Sequence, residues 1–275
     1  MIYYFPLEIL IMSNLRTLMF HDVVFEDQFN SSGFPGNDSA TYKLTQKQFS
    51  KYLNLLKNGG IQSPVIIENS IALQKGGWVL SFDDGGVSAF DNVLTCLNQF
   101  NWRAHFLITT DYIGKKGFLD KKQIVILREQ GHSIGSHSCS HPNMTKLDRH
   151  VLRTEWKKSL QILSEIINEP INMGAVPGGH YNDRVAQVAE ESGVRYLFTS
   201  TPFMKVKYVG RCAVIGRYGI KNSTPINLVL KLAQGDAKAW LFQKIIWDTK
   251  KIVQSLFGNN YSILRKYYYK IKFKN

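Results

Sequence analysis

The stretch GGWVLSFDDGG at residues 76–86 shows how this chain is organised. Residues 76–82 form an apolar run of strand length, which stops abruptly at Asp83, Asp84 and two glycines. Similar apolar runs alternate along the chain with segments whose apolar residues recur at helical spacing. This alternation predicts an α/β fold built on a parallel sheet or barrel.

The alternation continues without a break for most of the chain. No linker rich in proline, glycine or serine interrupts residues 15–202. We therefore place one domain at residues 13–235 and a basic helical tail at residues 236–275. The predicted strands are 15–24, 76–82, 103–109, 131–136, 171–176 and 196–199, and the predicted helices are 45–58, 90–100, 120–129, 147–168 and 183–192.

Composition excludes several classes of protein. Of the 275 residues, 44% are hydrophobic and 20% are charged, which excludes wholesale disorder. Zinc-finger, RNP and heptad patterns are absent from the sequence, so we expect no nucleic-acid partner. An odd number of cysteines argues against a disulfide framework and indicates a reducing compartment. The three cysteines are Cys96, Cys139 and Cys212, and we expect Cys139 to be a small buried residue.

Charge is concentrated at the carboxyl terminus. The net charge is +13, and residues 244–275 contribute eight basic side chains against Asp248 alone, or +7. Residues 236–257 place Trp and Leu among lysines, which is typical either of an interfacial membrane helix or of an ordinary helix docked on the domain. Residues 1–12 are apolar but too short to span a bilayer, and they lack the features of a signal peptide; whether residues 1–11 are translated stays open. We expect a cytoplasmic protein, or one peripheral on the inner membrane face.

Polar residues follow three of the predicted strands. In parallel α/β folds functional side chains gather at these strand ends. One carboxylate and two imidazoles would form a facial metal site that leaves positions open for water and substrate. Alone, an Asp-Asp-Gly sequence is usually a solvated turn, but a helical turn at 137–141 would direct both imidazoles to the same side. The three polar sets are Asp83-Asp84, His137 with His141, and PGGHY at 177–181.

Two of these sets carry a family resemblance. SFDDG at 81–85 resembles the TFDDG motif of polysaccharide deacetylases, the NodB-homology domain of carbohydrate esterase family 4. HSCSH at 137–141 resembles the second motif of that family, H-[ST]-x-x-H. The resemblance extends over about residues 15–200. It implies a distorted (β/α)7 TIM-like barrel and a metal-dependent hydrolase that removes an N-acetyl group from an amino sugar of a surface polysaccharide or its precursor.

The resemblance also implies roles for individual residues. Asp83 would be the general base, and a divalent metal, expected to be Zn²⁺, would be held by Asp84, His137 and His141. The third family motif, R-x-P-x-G, is matched only by AVPGG at 175–179, which makes the N–H of Gly178 the expected oxyanion donor. Substrate contacts are expected at Pro177, Gly178, Gly179 and Tyr181.

The chain departs from the family pattern at two points. Ala175 stands where the family usually has an arginine that holds the base carboxylate. The late histidine that acts as general acid has no counterpart, because all seven histidines precede residue 181. His180 and His21 are the candidates for the acid, although His21 could instead be a hydrogen-bonded residue behind the site. No catalytic role is expected for His105, His132 or His150.

The expected partner is an N-acetylated glycan or a lipid-linked sugar, with a peripheral membrane contact through the basic tail as a further hypothesis. Two other functions stay open at this point. The chain could cleave a different, non-sugar amide on the same barrel, or it could be an impaired relative that binds glycans without turnover.

Overall fold

A nine-stranded, mostly parallel sheet forms the centre of the computed structural model, which describes residues 14–257. The order of the strands is β11-β1-β4-β5-β6-β7-β8-β10-β9, and β2 and β3 form a small separate pair. The strands are β1 (Leu15–Phe20), β2 (Val23–Val24), β3 (Leu44–Thr45), β4 (Gly77–Phe82), β5 (His105–Ile108), β6 (Ser133–Ser136), β7 (Met173–Ala175), β8 (Tyr196–Phe198), β9 (Lys207–Val209), β10 (Cys212–Ile215) and β11 (Arg217–Gly219).

The last two strands close the sheet into a barrel. Only Gly216 separates β10 from β11, and β10 pairs with β8 whereas β11 pairs with β1, both in parallel. The segment 212–219 therefore joins the last strand of the series to the first. A Cβ at Gly216 would lie 2.4 Å from the carbonyl oxygen of Phe203, so this crossing requires glycine. The resulting ring of seven strand positions confirms the distorted (β/α)7 barrel.

Helices surround the barrel and begin at side-chain caps that the sequence encodes. Thr45 accepts a hydrogen bond from the backbone of Gln48, and Asp120 forms a capping box with Gln123. The helices are α1 (Asn37–Ala40), α2 (Gln46–Asn58), α3 (Ser70–Lys75), α4 (Leu94–Asn98, continuing a π-helical turn at Ala89–Val93), α5 (Lys121–Glu129), α6 (Arg149–Ile167), α7 (Asp183–Glu191), α8 (Ile226–Gln234) and α9 (Ala237–Phe257), with short 3₁₀ turns at Thr110–Tyr112, Met144–Lys146 and Pro177–Gly179.

Aromatic packing aligns the strand ends that form the site. Phe20, Phe82 and Phe106 stack across three adjacent strands, with ring centroids 5.5 and 5.3 Å apart. They are also register partners, Phe20 with Phe82 and Phe82 with Phe106. Because these strands are parallel, the residues that follow each phenylalanine emerge at the same edge of the barrel.

The structure differs from the predicted elements in two places. The first strand ends at Phe20 rather than at residue 24, because residues 23–24 leave the barrel to pair with β3. Residues 203–235, where the sequence contains no recognisable motif, supply β9, β10, β11 and α8. Residues 1–13 and 258–275, which include the amino-terminal segment and the last 18 residues of the basic tail, lie outside the described residues.

Helix α9 packs on the domain through its first turns. The backbone N–H of Ala239 donates to Asp236, and the buried indole of Trp240 donates to the carbonyl of Leu232 at 2.9 Å. Among residues 14–257, no helix has both the length and the apolar character needed to cross a membrane.

Candidate active site

Asp83 lies at the end of β4 and is held there by an arginine 134 residues further along the chain. Both Asp83 carboxylate oxygens accept hydrogen bonds from Arg217, at 2.6 and 2.7 Å. Arg217 is fully buried and also donates to the carbonyl of Thr199 and the hydroxyl of Ser81. This two-pronged contact fixes the carboxylate in one orientation.

The arginine also sets the protonation state of Asp83. Burial by itself would raise the pKa of Asp83, but the charge and hydrogen bonds of Arg217, together with His137, outweigh it, so that the pKa lies below its usual range. Asp83 is therefore an ionised carboxylate near neutral pH, which can accept a proton.

The absence of an arginine at position 175 does not leave Asp83 unpaired. No arginine reaches Asp83 from the position of Ala175, yet the carboxylate is not left without one, because Arg217 on β11 reaches it from the strand that closes the barrel. The sequence carries one signal for this residue. Arg217 is the single charged residue in the apolar stretch CAVIGRYGI at 212–220.

Asp84, His137 and His141 converge beside Asp83. The Oδ1 atom of Asp84 lies 3.4 Å from Nε2 of His137 and 3.3 Å from Nε2 of His141, and one possible ligand atom from each residue falls within 4.8 Å of the others. Asp84 Oδ1 is buried and makes no hydrogen bond to any described residue. A buried carboxylate oxygen that faces two imidazole nitrogens fits a divalent cation.

A hydrogen bond behind the site orients His137. Its Nδ1 atom lies 3.0 Å from the carbonyl oxygen of Ala175, which accepts only if Nδ1 carries the proton. The Nε2 lone pair is then directed at Asp84. This arrangement is the usual one for a metal-ligating histidine.

The loop between the two histidines differs from the predicted helical turn. Residues 137–141 are irregular, and Ser138 and His141 adopt positive φ angles of 67° and 62°; Asp84 does the same at 76°. The imidazoles converge because of this left-handed backbone, not because of helical spacing. Such conformations persist only where the surroundings enforce them.

Glu155 on α6 helps to stabilise this backbone conformation. Its carboxylate accepts hydrogen bonds from the backbone N–H groups of Cys139 and Ser140 and from the hydroxyl of Ser140, at 2.7–3.0 Å. The backbone N–H of His141 donates to the hydroxyl of Ser138 at 3.0 Å. Cys139 is buried, as expected, and lies outside the candidate ligand set.

A cavity of about 710 Å³ opens over these groups at the carboxyl ends of the strands. Asp83, Asp84, His137 and His141 line it, and it is large enough for a sugar residue. The turn after β7 contributes Gly178, Gly179 and Tyr181 to its wall. Pro177, the first residue of this turn, is buried and does not line the cavity.

This geometry can be compared with known proteins. Residues 71–197 match the family model of polysaccharide deacetylases. This part of the chain is similar to polysaccharide deacetylases. The matched region contains Asp83, Asp84, both histidines of the candidate metal site and the turn at 177–181.

Individual relatives agree with the family match. A peptidoglycan-N-acetylglucosamine deacetylase from Bacillus cereus is 32% identical over 153 residues, which cover 55% of this chain and 54% of the relative. The YxkH protein of Bacillus subtilis is 22% identical over 196 residues, which cover 69% of this chain and 66% of YxkH. Among its first curated relatives, the chain spans between 25% and 66% of their own length.

A solved structure supports the fold. The Streptococcus pyogenes deacetylase PplD, determined in complex with acetate, superposes with a TM-score of 0.68 at 20% sequence identity. The superposition covers 80% of this chain and 98% of PplD.

Two residues of the site lie outside the region that matches the polysaccharide deacetylase family, on the strands that close the barrel. One is Arg217, and the other is His21, which directly follows β1. His21 lines the cavity and is half-buried, and its Nδ1 atom is buried without a hydrogen-bond partner among the described residues. His180 also lines the cavity, but it is exposed.

The remaining histidines are placed as expected. His105 is fully buried, where its Nε2 accepts the backbone N–H of Ile67 and its Nδ1 donates to the carbonyl of Leu80. His132 accepts the backbone N–H of Ala104. Burial lowers the pKa of both to about 4, so both are neutral core residues. His150 is exposed on α6.

Proposed function

We propose that this chain is a metal-dependent deacetylase that hydrolyses the N-acetyl group of an amino sugar in a polysaccharide or its precursor. The observation that carries the proposal is the ionised Asp83 beside Asp84, His137 and His141 in one cavity. The match of residues 71–197 to the polysaccharide deacetylase model and the named activity of the Bacillus cereus relative support the same reaction class.

Asp84, His137 and His141 would hold the cation, for which we propose Zn²⁺ because one carboxylate oxygen and two imidazole nitrogens suit it. When bound, such a cation polarises the acetamide carbonyl and lowers the pKa of a water molecule. The open side of this set faces the cavity, where an acetamido group has room to enter.

Asp83 would act as the general base. It is ionised, and its Oδ2 atom lies 3.9 Å from Nε2 of His137, so it borders the ligand set. As water adds to the acetyl carbon, the proton passes to Asp83. Arg217 holds the carboxylate in place and is a positioning residue.

The turn at 177–179 would stabilise the oxyanion. Gly178 lines the cavity and has a φ of 60°, a conformation that glycine adopts without strain. We propose that its backbone N–H faces the developing negative charge, as in other oxyanion holes. Gly179 and Tyr181 border the space that the sugar would occupy.

For the general acid we propose His21 in preference to His180. The register of β1 with β4 places His21 next to Asp83, and its unpaired Nδ1 is shielded from bulk water. From there it can protonate the amine as the C–N bond breaks, which releases acetate and a free amino sugar. His180 is exposed, so bulk water reaches the imidazole that would donate the proton.

The test is acetate release by the purified chain, before and after removal of metal by a chelator. N-acetylated oligosaccharides and small cyclic amides serve as alternative substrates. We expect acetate from the oligosaccharides, loss of activity with the chelator, and recovery on addition of Zn²⁺. Cleavage of the cyclic amides alone would favour a non-sugar amide hydrolase, and glycan binding without any turnover would show an impaired relative.

A further inference from the structure

Helix α9 contributes one face to the wall of the cavity. Gln243, Trp247, Lys250 and Lys251 all line it. Trp247 lies against the turn at 177–179, so closely that a Cβ on Gly179 would be 3.2 Å from the indole ring. This helix is therefore part of the cavity and not a detached appendage.

The opposite face of α9 is apolar and exposed to solvent. Of the ten large apolar side chains that are exposed within residues 14–257, six lie on this helix. At 100° per residue, all six fall on the side away from Trp240 and Trp247, which face the domain. The six side chains are Leu241, Phe242, Ile245, Ile246, Ile252 and Leu256, and their exposed fractions range from 48% to 77%.

The charge around this stripe indicates what covers it. Helix α9 carries four lysines against Asp248 alone, and the 18 residues that follow it add five basic residues and no acidic ones. A second copy of the chain would bring the same positive charge to the same face. An apolar stripe flanked by lysines instead complements a surface that is negatively charged and has an apolar interior.

We propose that α9 docks its outward face on the surface of an anionic lipid bilayer. The apolar stripe, which includes Leu241, Ile245 and Ile252, would enter the headgroup region. The flanking lysines would contact the lipid phosphates.

Docking would also place the mouth of the cavity at the lipid surface. Ile246 belongs to both features, since it lines the cavity and is 48% exposed. If the proposed deacetylation is correct, on which this step rests, the sugar to be deacetylated is attached to a lipid or held at the membrane surface. Lys250 and Lys251 at the cavity wall would meet the anionic link between lipid and sugar.

The test is flotation of the full chain with phosphatidylcholine vesicles, with and without phosphatidylglycerol. The variant L241Q/I245Q/I252Q removes three of the six apolar side chains of the stripe and leaves the cavity lining intact. The matched control is I71Q/V151Q/Y208Q, which removes three apolar side chains of 40–58% exposure elsewhere on the domain. Circular dichroism and acetate release from a soluble oligosaccharide report whether each variant is folded.

We expect the wild type and the control to float with the anionic vesicles and the α9 variant to bind about tenfold more weakly or not at all. Equal flotation of both variants, or no flotation of the wild type, would overturn the proposal. A wild-type dimer that becomes a monomer in the α9 variant, without any lipid binding, would assign the stripe to a second copy instead. Flotation does not depend on turnover, so an inactive chain that floats as expected would contradict only the proposed function.

Discussion

At the scale of single residues, the site depends on a buried arginine that is distant in sequence from Asp83, the carboxylate it holds. Arg217 and Asp83 are 134 residues apart, and both are almost completely inaccessible to solvent. Two opposite charges of this kind tolerate burial only as a pair, because each one alone would lack its counter-charge in a poorly solvating interior.

Replacing Arg217 by Met should therefore destabilise the chain strongly. We expect a loss of about 3–5 kcal/mol in the free energy of unfolding, since Asp83 would be left as an unpaired buried charge. Urea denaturation measures the loss, and adding D83N to R217M should recover part of it. The control is R211M, which removes an exposed arginine paired with Glu190 and should change stability by less than about 0.5 kcal/mol. Similar losses in R217M and R211M would contradict the assignment.

The choice between the two candidate acids is also decided at single residues. Replacing His21 by Gln should lower kcat by about 10²–10⁴-fold while the metal content stays at the wild-type level. Replacing the exposed His180 by Ala should leave kcat within a few-fold of wild type. Acetate release and metal analysis on the same samples check both. If H180A were the inactive variant and H21Q the active one, the acid would be His180.

At the scale of elements, the strand ends were predictable and the loops between them were not. The spacing of His137 and His141 correctly identifies two residues that converge, but it does so through a helical turn that does not exist. The real cause is positive φ at Ser138 and His141, which the spacing of the two histidines does not reveal. The contacts that stabilise it come from α6 and so require the tertiary fold.

Glu155 gives a way to test that dependence. In E155A the N–H groups of Cys139 and Ser140 lose their acceptor, so the loop that carries the two histidines should loosen. We expect the affinity for Zn²⁺ to fall by about 10–100-fold, measured by competition with a chromogenic chelator. E165A, on the same helix but exposed, is the control. An unchanged affinity in E155A would show that the loop conformation does not need this carboxylate.

At the scale of the whole molecule, closure of the barrel brings the site together. The motifs at 81–85 and 137–141 are local and can be read directly, and so the fold class, the candidate metal set and Asp83 are all predictable. Arg217 reaches Asp83 only because β11 pairs with β1, a contact between segments about 200 residues apart. Pairing at that separation has no periodic signature, which is why the partner of Asp83 could not be predicted.

Gly216 tests the closure itself. In G216A the new methyl group would lie 2.4 Å from the backbone oxygen of Phe203, which cannot move without disturbing the strand. We expect a loss of about 1–3 kcal/mol in the free energy of unfolding, together with reduced acetate release. G219A in the same segment would meet only the flexible end of Met19, at 2.7 Å, and should cost less. Equal stability of the two variants would argue that closure at Gly216 is not tight.

The most direct test of the proposed mechanism compares D83N with D84N for bound zinc and for acetate release. The proposed mechanism assigns proton transfer to Asp83 and metal binding to Asp84. It therefore predicts that D83N retains stoichiometric zinc but releases no acetate, and that D84N loses both. Loss of zinc in D83N with retention in D84N, or undiminished acetate release in D83N, would contradict it.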